Sequence, residues 1–230
     1  MNNLYNDDCM NVFKTMHDES VDLIVSDVPY RVTSRGNTGN TGGMLKKEIF
    51  SKGEVFTHNN ISCKDYAPEL YRLLKDGGHC YIMTNHVNLI EMLNTFTSCG
   101  FHFVKSLIWD KGNKIMGHYY MSQFEYILFF RKGKGKKINH CGTADILSIP
   151  NKKHKDSNGN NYHDTEKPVE LMKILIENSS QENETEMDMF MGIGATGVAA
   201  KELNRNFIGV EIDKKYFDVA KDRIENNKEI

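Results

Sequence analysis

The chain has 230 residues, of which 39% are hydrophobic and 26% are charged, and its formal net charge is −2. This size and composition fit one globular domain with a substantial core and leave little room for a second. The near-neutral net charge argues neither for nor against a nucleic-acid partner, so any such partner would have to be met by local basic patches.

The sequence shows no sign of export or membrane insertion. Its N-terminal stretch lacks the basic and apolar regions of a signal peptide, and no run approaches the roughly 18 apolar residues that span a bilayer. The absence of a C-x-x-C pair favours reduced thiols over a disulfide framework. The five cysteines are Cys9, Cys63, Cys80, Cys99 and Cys141. We therefore expect a soluble, cytoplasmic protein with no membrane partner.

The first half of the chain alternates short apolar runs with helical patterns. In chain order we predict strand 21–26, loop 31–47, helix 65–78, strand 79–84, helix 86–100, strand 101–109 and strand 124–131. The first helix has Pro68 in its first turn and Gly77 at the position of a C-terminal cap. The two last strands are rich in β-branched and aromatic residues.

The second half opens with a polar, basic and glycine-rich stretch at 132–162. After it we predict helix 167–180, strand 186–190, helix 196–203, strand 206–212 and a last helix from about Lys214. Strands separated by helices indicate an α/β fold with a doubly wound, mainly parallel sheet. We interpret residues 1–230 as one domain in three parts, 1–131, 132–162 and 163–230.

A glycine-rich turn lies between the strand at 186–190 and the following helix. Gly192, Gly194 and Gly197 have the spacing G-x-G-x-x-G, and Glu211 ends the next strand. Glycines let a ligand approach the backbone, a helix N-terminus attracts an anion, and a carboxylate at this place can hold ribose hydroxyls. The pattern favours a nucleoside site over a ligand-free turn. Only nineteen residues follow Glu211, too few to complete a nicotinamide-dependent enzyme.

The strand at 21–26 runs directly into Asp27-Val28-Pro29-Tyr30. This sequence puts a carboxylate, a stiff turn and an aromatic ring at the carboxyl end of a buried strand. Alone it could be a turn with a surface aspartate. In a doubly wound sheet, however, ligands bind at the carboxyl ends of strands where the winding reverses. The strand end and the glycine loop therefore predict two halves of one site.

These segments resemble the S-adenosylmethionine-dependent DNA amino-methyltransferases. "DVPY" resembles their catalytic [Asp/Asn/Ser]-Pro-Pro-[Tyr/Phe/Trp] motif, "DMFMGIGATG" their cofactor loop, and "HDTEKPVELMKILI" the segment before that loop. The catalytic motif precedes the cofactor loop, which is the order of the permuted β group. The resemblance covers nearly the whole chain. It implies a Rossmann-like fold whose catalytic half is 1–131 and whose cofactor half is 163–230, with 132–162 as a small target-recognition insert.

The resemblance implies methyl transfer to the N6 amine of a flipped adenine in double-stranded DNA, because an initial Asp is commoner in adenine enzymes. The amine would be held by the Asp27 carboxylate and the Val28 carbonyl, with Pro29 stiffening the turn and Tyr30 stacking on the base. Val28 and Met189 replace prolines of the family pattern. A cytosine-amine or RNA methyltransferase and a non-catalytic DNA-binding protein remain as alternatives.

The family pattern also implies a set of cofactor residues. Glu211 would bind the ribose, the 192–197 loop and Thr196 the methionine portion and its carboxylate, and Asp188 the ammonium group. Asp8 would contact the adenine ring, and Lys167 lies in the segment that closes the pocket. The full set is Asp8, Lys167, Asp188, Phe190, Gly192, Gly194, Thr196, Gly197 and Glu211.

Basic residues in two regions are candidate DNA contacts. Arg31 and Arg35, with Lys46 and Lys47, lie in the loop after the catalytic motif, and a denser run follows the strand at 124–131. That run comprises Arg131, Lys132, Lys134, Lys136 and Lys137. A solvated basic loop is the alternative interpretation. The family resemblance allows a homodimer. We predict no metal site, because the spacing of His140, Cys141, His154 and His163 fits no zinc pattern.

Overall fold

The computed structural model describes residues 2–29, 61–115, 119–152, 154, 159 and 166–226. The strands in these ranges are β1 (Asn2–Tyr5), β2 (Val21–Asp27), β3 (Leu74–Thr84), β4 (His102–Ile115), β5 (Ser122–Arg131), β6 (Ile146–Ser148), β7 (Thr185–Asp188) and β8 (Asn206–Val210). The helices are α1 (Cys9–Phe13), α2 (Cys63–Leu73), α3 (Leu89–Ser98), α4 (Val169–Ser179), α5 (Ala195–Glu202) and α6 (Lys214–Asn226).

The strands form one sheet in the order β1-β8-β7-β2-β3-β5-β4-β6. All neighbouring pairs are parallel except the two that involve β5, which runs antiparallel to both β3 and β4. The predicted mainly parallel, doubly wound sheet is confirmed. β2 pairs with β7 through Ile24 and Met187, so strands from opposite ends of the chain lie side by side. The winding proceeds from β2 to β3 on one side and from β7 to β8 on the other, which makes this pair the switch point.

Helices cover both faces of the sheet. One core forms between the sheet and helices α1 to α3, with Phe13, Leu70 and Phe96 wholly buried in it. The other core forms against helices α4 to α6 and contains Ala199 and Ile224. Because both faces of its central strands are buried, the sequence shows continuous apolar runs there instead of alternation.

The prediction for Gly77 is wrong. Helix α2 ends at Leu73, and Gly77 lies within β3 at φ 77°, where its N–H donates to the Lys132 carbonyl. The Gly78 carbonyl in turn accepts from the Lys132 N–H. Pairing with the chain after β5 therefore extends β3 into residues that helical periodicity assigned to α2.

Several short elements were not predicted, because each is too brief to show a period. They are β1, α1 and β6, of four, five and three residues. Across the described ranges, no helix combines the length and apolar character that a bilayer crossing requires. All five cysteines are free thiols, and Cys9, Cys63 and Cys80 are buried.

Candidate active site

A cleft of about 350 Å³, open to solvent, lies at the carboxyl ends of β2 and β7. It is therefore at the switch point, where the strand end and the glycine loop were predicted to meet. The residues that line it are Asp27, Glu166, Lys167, Met172, Asp188, Phe190, Met191, Gly192, Ile193, Ala195 and Thr196. Six of the predicted site residues are thus brought together: Asp27, Lys167, Asp188, Phe190, Gly192 and Thr196.

Asp27 is the last residue of β2, and its two carboxylate oxygens differ. Oδ2 accepts a hydrogen bond from the Lys167 ammonium. Oδ1 is buried and has no hydrogen-bond partner among the described residues. Burial raises the pKa of Asp27 to about 6, Lys167 opposes that rise, and the nearby Glu125 adds to it. Since a buried acceptor without a donor is costly, Oδ1 is suited to a donor supplied by a ligand.

Lys167 belongs to a buried chain of alternating charges. Its Nζ lies 3.6 Å from Glu125 Oε2 on β5, and Glu125 Oε1 accepts from the Lys111 ammonium on β4. The Trp109 ring lies 5.0 Å from the Lys111 Nζ and 5.9 Å from the Lys167 Nζ. Burial alone would lower the pKa of Lys167, but Asp27 and Glu125 raise it above its ordinary value. The Lys167 amine is therefore held in its charged form by these two carboxylates.

Sequence reasoning missed both Glu125 and Lys111. Lys111 lies just beyond the predicted end of the strand at 101–109, which the structure extends to Ile115. Glu125 lies within the predicted strand 124–131 and alternates in phase with Ile127 and Phe129, which belong to the core beneath α4. A carboxylate at a core position of a strand was the signal that could have revealed it, because buried charges need partners.

Asp188, the last residue of β7, organises the glycine loop from within. Its Oδ1 accepts from the Ser26 hydroxyl at 2.6 Å and the Phe190 N–H at 3.1 Å, and its Oδ2 accepts from the Thr196 hydroxyl at 2.6 Å. Burial raises the pKa of Asp188, and the donors oppose that rise. The sequence predicted that Asp188 binds an ammonium group and that Thr196 binds a carboxylate. In the structure the Thr196 hydroxyl donates its proton to Asp188, so the two side chains bond to each other.

The three glycines of the loop have different surroundings. Gly192 lines the cleft, and its N–H donates to Glu211 Oε2 at 3.0 Å. Gly194 caps α5 in the left-handed region at φ 82°, with α6 packed against it through Ala220. A Cβ at Gly197 would lie 2.4 Å from the Ile224 side chain. The last two glycines therefore permit close packing of α5 and α6, whereas only Gly192 is at the cleft.

Glu211 follows β8 directly, as predicted. It does not line the cleft itself but is joined to it through Gly192, and its Oε1 accepts from the Asp213 N–H at 2.8 Å. Burial raises the pKa of Glu211 to about 7, although the two N–H donors oppose the rise. Asp8 is not among the residues that line the cleft, and it caps α1 by accepting from the Met10 N–H at 2.8 Å.

The remaining residues of the predicted catalytic motif are only partly described. Val28 is buried in the core beneath α1 to α3, so valine is accommodated there by packing, and Pro29 is half-buried. Met189, which also replaces a family proline, is 1% exposed in the same core. Several predicted residues lie outside the described residues, namely Tyr30, Arg31, Arg35, Lys46, Lys47 and His163.

The basic run after β5 does not form a continuous exposed patch. The prediction for Lys132 needs correction: its side chain is buried, donates to the Leu74 carbonyl at 2.7 Å and lies 3.2 Å from Glu19. Arg131 donates to the Gly133 carbonyl. Lys136 lies 3.6 Å from Glu184. The exposed side chains of the run are those of Lys134, Lys136 and Lys137.

The direction of β5 also removes this run from the cleft. Tyr126 pairs with Thr84 at the carboxyl end of β3, whereas Arg131 pairs with His79 inside that strand. Five residues of strand correspond to about 17 Å. The run stays at that end of the sheet, because the Lys132 backbone pairs with Gly77 and Gly78, and Lys136 lies 3.6 Å from Glu184, next to the start of β7. The basic run therefore lies toward the opposite edge of the sheet from Asp27.

Comparisons with known proteins agree on one family. The model of a DNA methylase family matches residues 21–222. The type II methyltransferase M.HinfI of Haemophilus influenzae is 28% identical over 249 residues, covering 99% of this chain and 69% of that protein. The M1.HpyAVI–SAM complex has a TM-score of 0.70 at 24% identity and covers 97% of this chain and 100% of its own. The cytosine-N4-specific PvuII DNA methyltransferase has a TM-score of 0.77 at 16% identity, covering 99% and 88%.

The Asp188 network predicts a measurable contribution to stability. Replacing Thr196 by Val removes a buried donor to a carboxylate, and we expect the free energy of unfolding to fall by about 1–3 kcal/mol. Urea denaturation monitored by circular dichroism measures this change. Thr97→Val is the matched control, since this exposed helical threonine donates only within α3, and a loss of at most about 0.5 kcal/mol is expected. Equal losses in the two variants would refute the role of the network.

Proposed function

The chain belongs to the DNA methylase family, and we propose that it transfers a methyl group from S-adenosylmethionine to the N6 amine of a flipped adenine in double-stranded DNA. The observation that carries this proposal is the buried Asp27 Oδ1, which has no partner among the described residues and lies in the same cleft as the glycine loop. An acceptor in this position is suited to an exocyclic N–H group.

The chemistry explains why an acceptor is needed. The lone pair of an aromatic amine is delocalised into the ring, so the nitrogen is a poor nucleophile. Hydrogen bonds from its two N–H groups to Asp27 Oδ1 and to the Val28 carbonyl would favour a pyramidal nitrogen with a localised lone pair. S-adenosylmethionine supplies an electrophilic methyl group on a sulfonium. As the N–C bond forms the sulfonium S–C bond would break, leaving a neutral thioether, and the Asp27 carboxylate would stabilise the positive charge that develops on the amine until one N–H proton is released to solvent. The protein contributes positioning and electrostatics.

The residues of the cleft fit this cofactor. Gly192 presents backbone at the cleft, and the half-buried Phe190 offers an aromatic surface beside it. Glu211, held by the N–H groups of Gly192 and Asp213, is oriented to accept hydrogen bonds from ribose hydroxyls. The roles of Asp8 and Lys167 in cofactor binding remain predictions, and the contacts of Lys167 favour a role beside Asp27 instead.

The target base has to leave the duplex to reach Asp27, which costs a few kcal/mol of stacking and pairing. We propose that the duplex approaches the carboxyl edge of the sheet. The β4–β5 hairpin extends beyond that edge, and its Tyr119 and Tyr120 are 91% and 93% exposed. Ser122, the first residue of β5, precedes Glu125 by three residues, so the strand reaches about 10 Å further out than Glu125, and Tyr120 comes two residues before it. A cytoplasmic location and assembly as a homodimer remain predictions from the sequence.

Cytosine is the second candidate base, because it presents the same kind of exocyclic amine and the fold is shared with a cytosine-N4-specific enzyme. Asp27 as the first residue of the motif favours adenine. A non-catalytic DNA-binding protein is the other alternative, and it would bind DNA without consuming cofactor.

Asp27→Ala should lower methylation at least about 100-fold, because it removes the acceptor for the amine and the charge that stabilises the transition state. Mass spectrometry of nucleosides from DNA incubated with protein and S-adenosylmethionine measures the product. Cofactor affinity should change by less than about threefold, as expected for a residue that acts on the base. Asp145→Asn, at an exposed carboxylate paired with Lys105, serves as control. N4-methylcytosine as product would support the second candidate, and normal turnover by Asp27→Ala would contradict the mechanism.

Glu211→Ala should weaken S-adenosylmethionine binding about 10- to 100-fold, because the variant loses a hydrogen bond to a charged group and such a bond contributes about that much to affinity. Isothermal calorimetry measures it, with the exposed Glu182→Ala as control. Because the pKa of Glu211 is raised to about 7, its carboxylate ionises as the pH rises through 7. Binding by the native protein should therefore strengthen between pH 6 and 8, and the Ala variant should lack that rise. A rise of the same size in both proteins would exclude Glu211 as the ribose acceptor.

The position of the hairpin predicts which surface meets DNA. Tyr120→Ala should weaken DNA binding at least about fivefold, the lower end of the 1–3 kcal/mol of a base–aromatic contact. The triple variant Lys134→Gln, Lys136→Gln, Lys137→Gln should leave both the affinity and its salt dependence unchanged, because these side chains lie toward the opposite edge. Fluorescence anisotropy over a salt series measures both. A flatter salt dependence in the triple variant would restore the basic run as a phosphate contact.

A further inference from the structure

We propose that Glu125 and Lys111 form a positioning pair that holds Lys167 on Asp27 Oδ2 and thereby keeps Asp27 Oδ1 open for the target amine. This inference rests on the proposed function, since it concerns how the acceptor for the amine is kept available. Neither residue touches the reacting atoms, so both act through Lys167.

The geometry fixes Lys167 from two sides. Its ammonium contacts Asp27 Oδ2 and lies 3.6 Å from Glu125 Oε2, while Lys111 binds the other oxygen of Glu125. The side chains of Lys167, Lys111 and Glu125 are only 6%, 13% and 16% exposed. Trp109 lies against both amines, and its Nε1 donates to the Ile149 carbonyl at 2.8 Å. The ring is therefore a fixed support for the two cations.

Stability alone gives a poor account of this cluster. Desolvating several charged side chains usually costs more than their mutual attraction returns, and well-packed apolar side chains would stabilise the same volume at least as well. Glu125 occupies a strand position in phase with Ile127 and Phe129, where an apolar residue would fit the core. The Glu125 carboxylate at this core position shares Lys167 with Asp27, and a buried charge so close to Asp27 indicates a role in the reaction.

Electrostatics give that role a physical form. If Lys167 faced Asp27 alone, its charge would cancel the carboxylate that has to stabilise a cationic amine. Glu125 shares Lys167 and so restores negative potential at Asp27, and Lys111 prevents Glu125 from taking Lys167 away. The charged groups that face Asp27 within the described structure are Lys167 before α4, Glu125 on β5 and Asp188 on β7.

The pair makes two predictions of opposite sign. Glu125 raises the pKa of Asp27, so Glu125→Gln should lower the pKa of Asp27 and draw Lys167 closer to it. Lys111→Gln should raise the pKa of Asp27, because a positive charge near the carboxylate is lost. If Glu125 and Lys111 served only packing, the two variants would not shift the pKa of Asp27 in opposite directions.

The test uses the intact protein and two readouts. The first is the carboxyl titration of Asp27 followed by ¹³C NMR, with the signal assigned by its loss in Asp27→Ala. The second is the pH profile of kcat for DNA methylation. Glu125→Gln should lower kcat about tenfold, with KM for S-adenosylmethionine changed by less than about threefold, and should move the acid limb to lower pH. Lys111→Gln should move that limb to higher pH, and Lys111→Arg should restore its native position.

The outcomes separate this inference from the proposed function. Asp27 titrations that coincide in the native, Glu125→Gln and Lys111→Gln proteins would overturn the pairing, while native methylation would still uphold the function. A native protein without methylation would refute the function, and the NMR titration would still decide for or against the pair. Thermal denaturation checks the fold of each variant, and should Glu125→Gln fail to fold, Lys111→Gln and Lys111→Arg carry the test.

Discussion

The Ser26 hydroxyl donates to the Asp188 carboxylate across the boundary between β2 and β7, and the active site depends on this contact. The two residues are far apart in sequence: Ser26 is the next-to-last residue of β2 and Asp188 the last residue of β7, and each strand leads into one half of the cleft. The same carboxylate accepts from Thr196 and from the Phe190 N–H. One buried acceptor thus fixes the distance between the catalytic strand end, the glycine loop and the start of α5.

Asp27 and Asp188 illustrate how one environment produces two roles. Both end parallel strands at the same edge, and burial raises the pKa of each. Asp188 has hydrogen-bond donors on both oxygens and serves as a fixed structural acceptor. Asp27 has one oxygen held by Lys167 and the other without a partner among the described residues, which leaves capacity for a ligand. The two aspartates differ in the number of hydrogen-bond donors that the fold supplies to them. The spacing of motifs in the sequence does not predict that number.

Much of the fold and the location of the site could be predicted from the sequence, because apolar periodicity and the order of strands determine where a switch point lies. Asp27, Gly192 and Thr196 were accordingly placed in one cleft. The functions of individual side chains were less accessible. Gly197 fits the ligand-loop spacing but is required by packing against Ile224, and Lys132 reads as a surface charge but is buried. Both depend on contacts between elements distant in sequence, which local patterns do not encode.

The direction of β5 connects the two largest differences between sequence and structure. As the antiparallel strand between β3 and β4, it begins at the catalytic edge and ends toward the opposite one. Its first half therefore brings Glu125 to Lys167, whereas its last residue, Arg131, leads the basic run away from the cleft. A parallel β5 would have exchanged these positions and placed the basic run beside Asp27. Strand direction is set by sheet pairing across the whole domain, so residues that are neighbours in sequence serve opposite edges of the molecule.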